Sequence, residues 1–134
     1  MTVPVEDERG AGPIDLVLPA TGANAAIVRI LAATLATDLD FSIDRIDDLR
    51  LITGEFFSLV IELCQPSNSI PLRIEIHMDS AQPAIHLQSA GATLAHAAPP
   101  EDDLRWIVLT ALASSAQLQI YDGTYAFDIM VEAQ

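Results

Sequence analysis

Glu55 lies in the run Asp47-Asp48-Leu49-Arg50-Leu51-Ile52-Thr53-Gly54-Glu55-Phe56-Phe57-Ser58-Leu59-Val60-Ile61. A carboxylate on a helix that lines a cleft can act as a general base. Taken alone, a glutamate on a helix face is most often simply solvated. A second concentration of chemistry-bearing groups is Glu101-Asp102-Asp103, followed by Arg105. His77, His86 and His96 each stand alone in sequence, and a zinc centre needs three ligands converging. Ser58, Ser114 and Ser115 have no histidine or aspartate partner at a recognisable spacing, which argues against nucleophilic catalysis. All six basic residues are arginine, so no lysine is available as a phosphate ligand, Schiff base or general base. Cys64 is the only cysteine, which excludes an intramolecular disulfide and a multi-cysteine metal site and points to a reducing cytoplasm.

The elements that must position these groups are legible from pattern. Ile14 to Leu18 reads as a strand stopped by Pro19, near a sheet edge. Ala23 to Thr37 reads as a helix whose core face is Ile27, Leu31 and Leu35, with Val28 beside it. Arg29, Ala33 and Ala36 fall on another, small and smooth face. Asp44 to Cys64 reads as the longest helix, capped by Ser42 or Asp44. Its apolar stripe is Ile46, Leu49, Ile52, Phe56, Leu59 and Leu63, and Asp48, Glu55, Ser58 and Glu62 form a more polar one. Leu72 to Met78 and Ala84 to Gln88 alternate as a hairpin. Glu101 to Ser114 reads as a third helix with an acidic start. Gln117 to Tyr121 and Tyr125 to Val131 are strands joined by Asp122-Gly123, a strong hairpin signal.

Composition bounds the answer. The chain has 134 residues, 51% of them hydrophobic, with a mean hydropathy of +0.35, enough for one domain with a sizeable core. Residues 1–12 are acidic and carry Pro4 and Gly10, which reads as a flexible tail, leaving 13–134 as a single domain. No apolar run reaches membrane-spanning length, and the start of the chain does not read as a signal peptide. The net charge of −13 excludes nucleic acid as a direct partner and suits a basic protein partner. Strand, two helices, two strands, helix, two strands make an α+β two-layer sandwich, with helices packed on one face of a mixed, mostly antiparallel sheet.

That order, together with Leu16-Val17-Leu18-Pro19-Ala20, Ile27-Val28-Arg29, Asp47 to Leu63, Leu109-Thr110-Ala111-Leu112 and Asp122-Gly123-Thr124, resembles the anti-sigma factor serine kinases of the GHKL, histidine-kinase-like ATPase superfamily. The resemblance implies a family helix bearing Glu-x-x-x-Asn. Glu55 stands at its general-base position and Leu59 at its magnesium-binding asparagine, and leucine offers no oxygen to a hard cation. The family's adenine-binding Asp-x-Gly-x-Gly aligns with Ser89-Ala90-Gly91-Ala92-Thr93, where Gly91 alone survives. Only about a dozen residues separate Gly91 from Leu104, leaving little lid. Three carboxylates at Glu101 to Asp103 would meet a triphosphate, at about 1 kcal/mol of repulsion per contact pair even in water.

The resemblance therefore implies a degenerate member, a pseudokinase in which Phe56 and Phe57 fill space that nucleotide would occupy. Its function would be non-catalytic regulation of bacterial transcription or signalling through protein contacts, with no cofactor and no metal. The partner would be a sigma factor, an anti-anti-sigma protein or another GHKL subunit. Arg29 is the expected contact, with Ala25, Ala32, Ala33 and Ala36 letting a partner approach. A homodimer is compatible, and nucleic acid and membrane are not partners. The alternative is an active ATP-dependent serine kinase with atypical motifs, and ATP with magnesium belongs to that alternative alone.

Overall fold

The computed structural model describes residues 12–64, 71–94 and 101–134. Its order is β1 (Ile14–Leu18), a 3-10 turn (Gly22–Asn24), α1 (Ala25–Asp38), α2 (Ile43–Cys64), β2 (Leu72–Asp79), β3 (Ala84–Ala92), α3 (Leu104–Leu112), β4 (Ser115–Tyr121) and β5 (Thr124–Glu132). The five strands form one sheet in the order β1-β2-β3-β5-β4, antiparallel at every pairing, with the three helices on one face. β1 is an edge strand, as its terminating proline suggested. Nearly all of the acidic tail, the 65–69 loop and half of the shortened lid lie outside the described residues.

Local chemistry explains the boundaries. α1 closes on Asp40, which adopts a left-handed φ of 58°. The Phe41 amide donates to the Ala36 carbonyl and the Asp40 amide to Thr37, and Phe41 is buried behind the turn. Ser42 then caps α2, its Oγ accepting from the Arg45 amide at 3.1 Å. Asp103 caps α3 by accepting from the Arg105 amide at 2.9 Å. Asp122 and Gly123 both have positive φ, 54° and 75°, as a two-residue hairpin of this hand requires.

Alternation in the strands sends Leu72, Ile74, Ile76, Ile85, Leu87, Tyr125, Phe127, Ile129 and Val131 toward the helices. α2 meets them with Leu49, Ile52, Phe56, Phe57, Leu59, Val60 and Leu63. α1 corrects one expectation. Its core face is Ala25, Val28, Ala32, Leu35 and Ala36, whereas Ile27 is 48% exposed. The alanines admit close packing of α1 on the rest of the core, and that rotates Ile27 outward.

Arg45 ties distant ends of the chain together. Its Nε donates to the Glu132 carbonyl and its Nη1 to the Leu112 carbonyl, both at 2.8 Å, while Nη1 also pairs with Asp48 at 3.2 Å. The start of α2, the end of α3 and the end of β5 thus share one guanidinium.

Candidate functional site

α2 carries Glu55 and Leu59 on neighbouring turns, but only Glu55 reaches solvent. Glu55 is half-buried, and its side chain makes no hydrogen bond or ion pair among the described residues. Leu59 is 4% exposed and belongs to the core. Phe56 and Phe57 are fully buried. Phe56 packs edge-on against Phe127 of β5, with ring centroids 4.8 Å apart and planes at 74°. Trp106 of α3 abuts Phe127 from its own side at 6.1 Å. Aromatic packing therefore occupies the region between α2, α3 and the sheet.

The β3 segment is equally committed. Ser89 is 5% exposed, and its Oγ donates to the Arg73 carbonyl at 2.8 Å while sharing a 2.8 Å hydrogen bond with the Tyr125 hydroxyl. The Tyr125 ring lies over Gly91, where an added Cβ would meet its Cε1 at 3.4 Å. Cys64 Sγ lies 3.4 Å from the same hydroxyl. Burial, and then the neighbouring thiol, push the Tyr125 phenol well above the ordinary tyrosine range. Thr93 Oγ1 donates to the Leu63 carbonyl at 2.7 Å, joining the end of β3 to the end of α2. Cys64, Tyr125 and Ser89 thus share one hydrogen-bonded seam, with Gly91 under the Tyr125 ring and Thr93 tied to Leu63.

At the start of α3 the three acids separate in role. Glu101 and Asp102 are exposed, while Asp103 turns inward. Arg105 Nη2 lies 2.6 Å from both Asp103 Oδ2 and Glu62 Oε2, its Nε donates to Asp103 Oδ1 at 3.0 Å, and its Nη1 donates to Ser58 Oγ at 3.1 Å. The charge-assisted bonds hold the Asp103 carboxyl below its usual range and push the guanidinium further up. Arg105 takes up Asp103, one of the three carboxylates that the sequence alone presents as facing a phosphate. It also takes up two members of the α2 polar stripe, Ser58 and Glu62. An arginine two residues past a capping aspartate and opposite a helix glutamate was the available signal.

Arg29 presents the opposite case. It is half-buried on α1, and its Nη1 and Cδ lie 3.4 and 3.9 Å from where a Cβ on Gly54 would stand. It makes no hydrogen bond or ion pair among the described residues. With Ile30, Thr34 and Arg50 it lines a groove of about 370 Å³ between α1 and α2. Ile30 is 68% exposed, and Arg50 pairs with Asp47 at 3.2 Å in solvent. The alanines expected to flank Arg29 as an open surface are buried instead. Ala25, Ala32, Ala33 and Ala36 are at most 9% exposed because they carry the packing of α1. The accessible neighbours of Arg29 in this groove are Ala26, Ile30, Thr34, Thr37 and Arg50.

The described histidines form no metal centre. His77 and His86 are cross-strand partners on the open face of the sheet, and His96 lies outside the described residues. Among the described residues no group of three His, Cys, Asp or Glu side chains could hold a metal ion. No described helix is long and apolar enough to cross a membrane.

A scan of protein-family models gives no match. The chain is 28% identical to anti-sigma-F factor RsbW of Mycobacterium tuberculosis over 116 residues, and the same match recurs in two strains. The chain is homologous to the RsbW anti-sigma factors. The alignment covers 87% of this chain and 66% of the relative, so the chain spans just under two thirds of RsbW's length. The fold agrees. The crystal structure of the RsbU and RsbW domains of Rv1364c from the same organism superposes with a TM-score of 0.68 at 14% identity, over 90% of this chain and 32% of that one. A chain of the SiaB-SiaC complex from Pseudomonas aeruginosa superposes with a TM-score of 0.51 at 9% identity, over 89% of both. The superpositions agree with the α+β architecture of three helices on one face of a five-stranded antiparallel sheet.

Proposed function

We propose that this protein is a non-catalytic, anti-sigma-factor-type regulator that acts in the cytoplasm by binding a protein partner and takes no nucleotide. The observation that carries the reading is the Tyr125 ring lying over Gly91 with its hydroxyl on Ser89. Those two positions are where the resemblance to the GHKL kinases implies adenine. A phenol bonded there by Ser89 and flanked by Cys64 must be displaced before a base can enter. The buried Leu59 and the Arg105 cluster argue the same way for magnesium and phosphates. An active serine kinase would still have Glu55 for a base, but a base without a metal ligand and an open phosphate site has nothing to act on.

The partner is a sigma factor or its anti-anti-sigma antagonist, and Arg29 is the contact. A half-buried guanidinium without a carboxylate among the described residues, in a chain of net charge −13, is poised for one supplied from outside. Co-elution of the purified chain with sigma factors and anti-anti-sigma proteins from its own genome tests the reading. A complex should form in nucleotide-free buffer, and Arg29→Ala should weaken it by about 2 kcal/mol or more. Binding that appears only with Mg-ATP would replace this reading with the kinase. Unchanged affinity in Arg29→Ala would remove that residue from the interface.

A further inference from the structure

The face of the sheet turned away from the helices carries a second, separate surface. Cross-strand register places Glu75, Gln88, Asp128 and Gln117 in one row, and Ala90, Ala126 and Gln119 in the next. Two alanines opposite each other among long polar side chains leave a depression of about 410 Å³. Ala90 and Ala126 are its floor, and the glutamines and the two carboxylates are its walls. Gln88, Gln117, Gln119 and Asp128 make no side-chain hydrogen bond among the described residues. Arg73 at the rim pairs with Asp15 at 3.3 Å and Glu75 lies 3.6 Å from His77 Nε2, so Asp128 is the carboxylate of the lining that has no ion pair among the described residues.

We propose that this depression receives an arginine side chain presented by a basic segment of a protein partner. A guanidinium is planar and offers five donors in a fixed fork. Asp128 can take two of them side by side, and the carbonyl oxygens of the flanking glutamine amides accept others. The methylene stem lies on the Ala90 and Ala126 floor, as the apolar stems of cationic side chains do. Gln88 separates Glu75 from Asp128 in the row, so their carboxylates sit two strand spacings apart, about 10 Å. A cation between them relieves their mutual repulsion. Lysine delivers a point charge that leaves most of the amide acceptors unused. The net charge of −13 steers a basic segment toward the chain, and the arrangement of acceptors selects the residue. This surface lies on the opposite side of the sheet from the helices, so it does not compete with the groove at Arg29 and stands independently of it.

The test titrates the isotope-labelled full chain with a short peptide, acetyl-Gly-Arg-Ala-Arg-Gly-amide, and with its lysine and citrulline counterparts. The arginine peptide should shift the side-chain amide resonances of Gln88, Gln117 and Gln119 and saturate at about millimolar concentration. The lysine peptide should bind about fivefold more weakly, and the neutral citrulline peptide should leave the spectrum unmoved. Asp128→Asn should weaken binding about tenfold, whereas Asp102→Asn, which removes an equal charge elsewhere, should not. Ala126→Leu, at an exposed position, fills the floor and should abolish the shifts with the helix resonances unchanged. Equal losses in the Asp128 and Asp102 variants, or shifts scattered over the acidic surface, overturn the proposal. So does undiminished binding by Ala126→Leu.

Discussion

Arg105 and Arg29 are both partly buried arginines on helices, and the structure treats them in opposite ways. Arg105 is saturated from within, by two carboxylates at 2.6 Å and a serine hydroxyl at 3.1 Å. Arg29 lies across Gly54 with nothing to bond among the described residues. The first stands where the GHKL resemblance implies a phosphate-binding turn, the second where it implies a partner surface. The polar groups around Arg105 are turned on one another, because a buried charge without a partner is costly. Under the proposed function, Arg29 is left for a carboxylate that the partner supplies.

The largest expected effect comes from forcing the old chemistry back into the core. Leu59→Asn replaces a buried leucine with an amide that has no bonding partner, so chemical denaturation should show a loss of about 3–5 kcal/mol. The variant should also gain no ATPase activity. Near-native stability with nucleotide turnover would mean that the core reading of α2 is wrong.

Arg105→Ala comes next. The cluster is only partly shielded, so the loss should be about 1–2 kcal/mol, and Arg105→Lys should recover little because it lacks the fork. The pH dependence sharpens this. The Asp103 carboxyl is held below its unfolded value by Arg105, so its contribution is complete above that value, about pH 4, and disappears as pH falls through the lowered folded one. Removing Arg105 should flatten that part of the acid unfolding curve. An unchanged slope would mean that the pair contributes nothing.

Tyr125→Phe should cost about 1 kcal/mol, since Ser89 keeps its bond to the Arg73 carbonyl. In the wild type the phenol titrates above the ordinary tyrosine value, so the stability it confers is intact below about pH 10 and is lost as pH rises toward the folded value. Ultraviolet titration should show one phenol delayed to unfolding, and that phenol should be missing in the variant. A phenol that ionises in the normal range would indicate an open cavity at Ser89. Arg29→Ala is the smallest. With no partner among the described residues to lose, it should change stability by less than about 0.5 kcal/mol, and a larger change in the melting curve would make Arg29 structural.

Much of this was legible in the sequence. Alternation gave β2, β3, β4 and β5, and Asp122-Gly123 gave their last turn, because these patterns are local. The α2 stripe at three- and four-residue spacing placed Phe56 and Leu59 in the core correctly. The face of α1 was misread because Ile27 outweighs alanine in any hydrophobic pattern, while close packing prefers alanine. The seam of Cys64, Ser89 and Tyr125 was out of reach, since it joins residues 61 and 36 positions apart through a fold the sequence does not print. The Arg45 ties to Leu112 and Glu132 were hidden for the same reason. The groove beside Arg29 needed the packing of α1 on α2, which composition could not supply.

Isothermal titration of the purified full chain with Mg-ATP and Mg-ADP tests the central claim most directly. The account predicts no binding heat for either nucleotide at concentrations up to about 1 mM, because Tyr125, Leu59 and the Arg105 cluster occupy the site. A saturable isotherm with a micromolar dissociation constant would contradict it and restore the kinase.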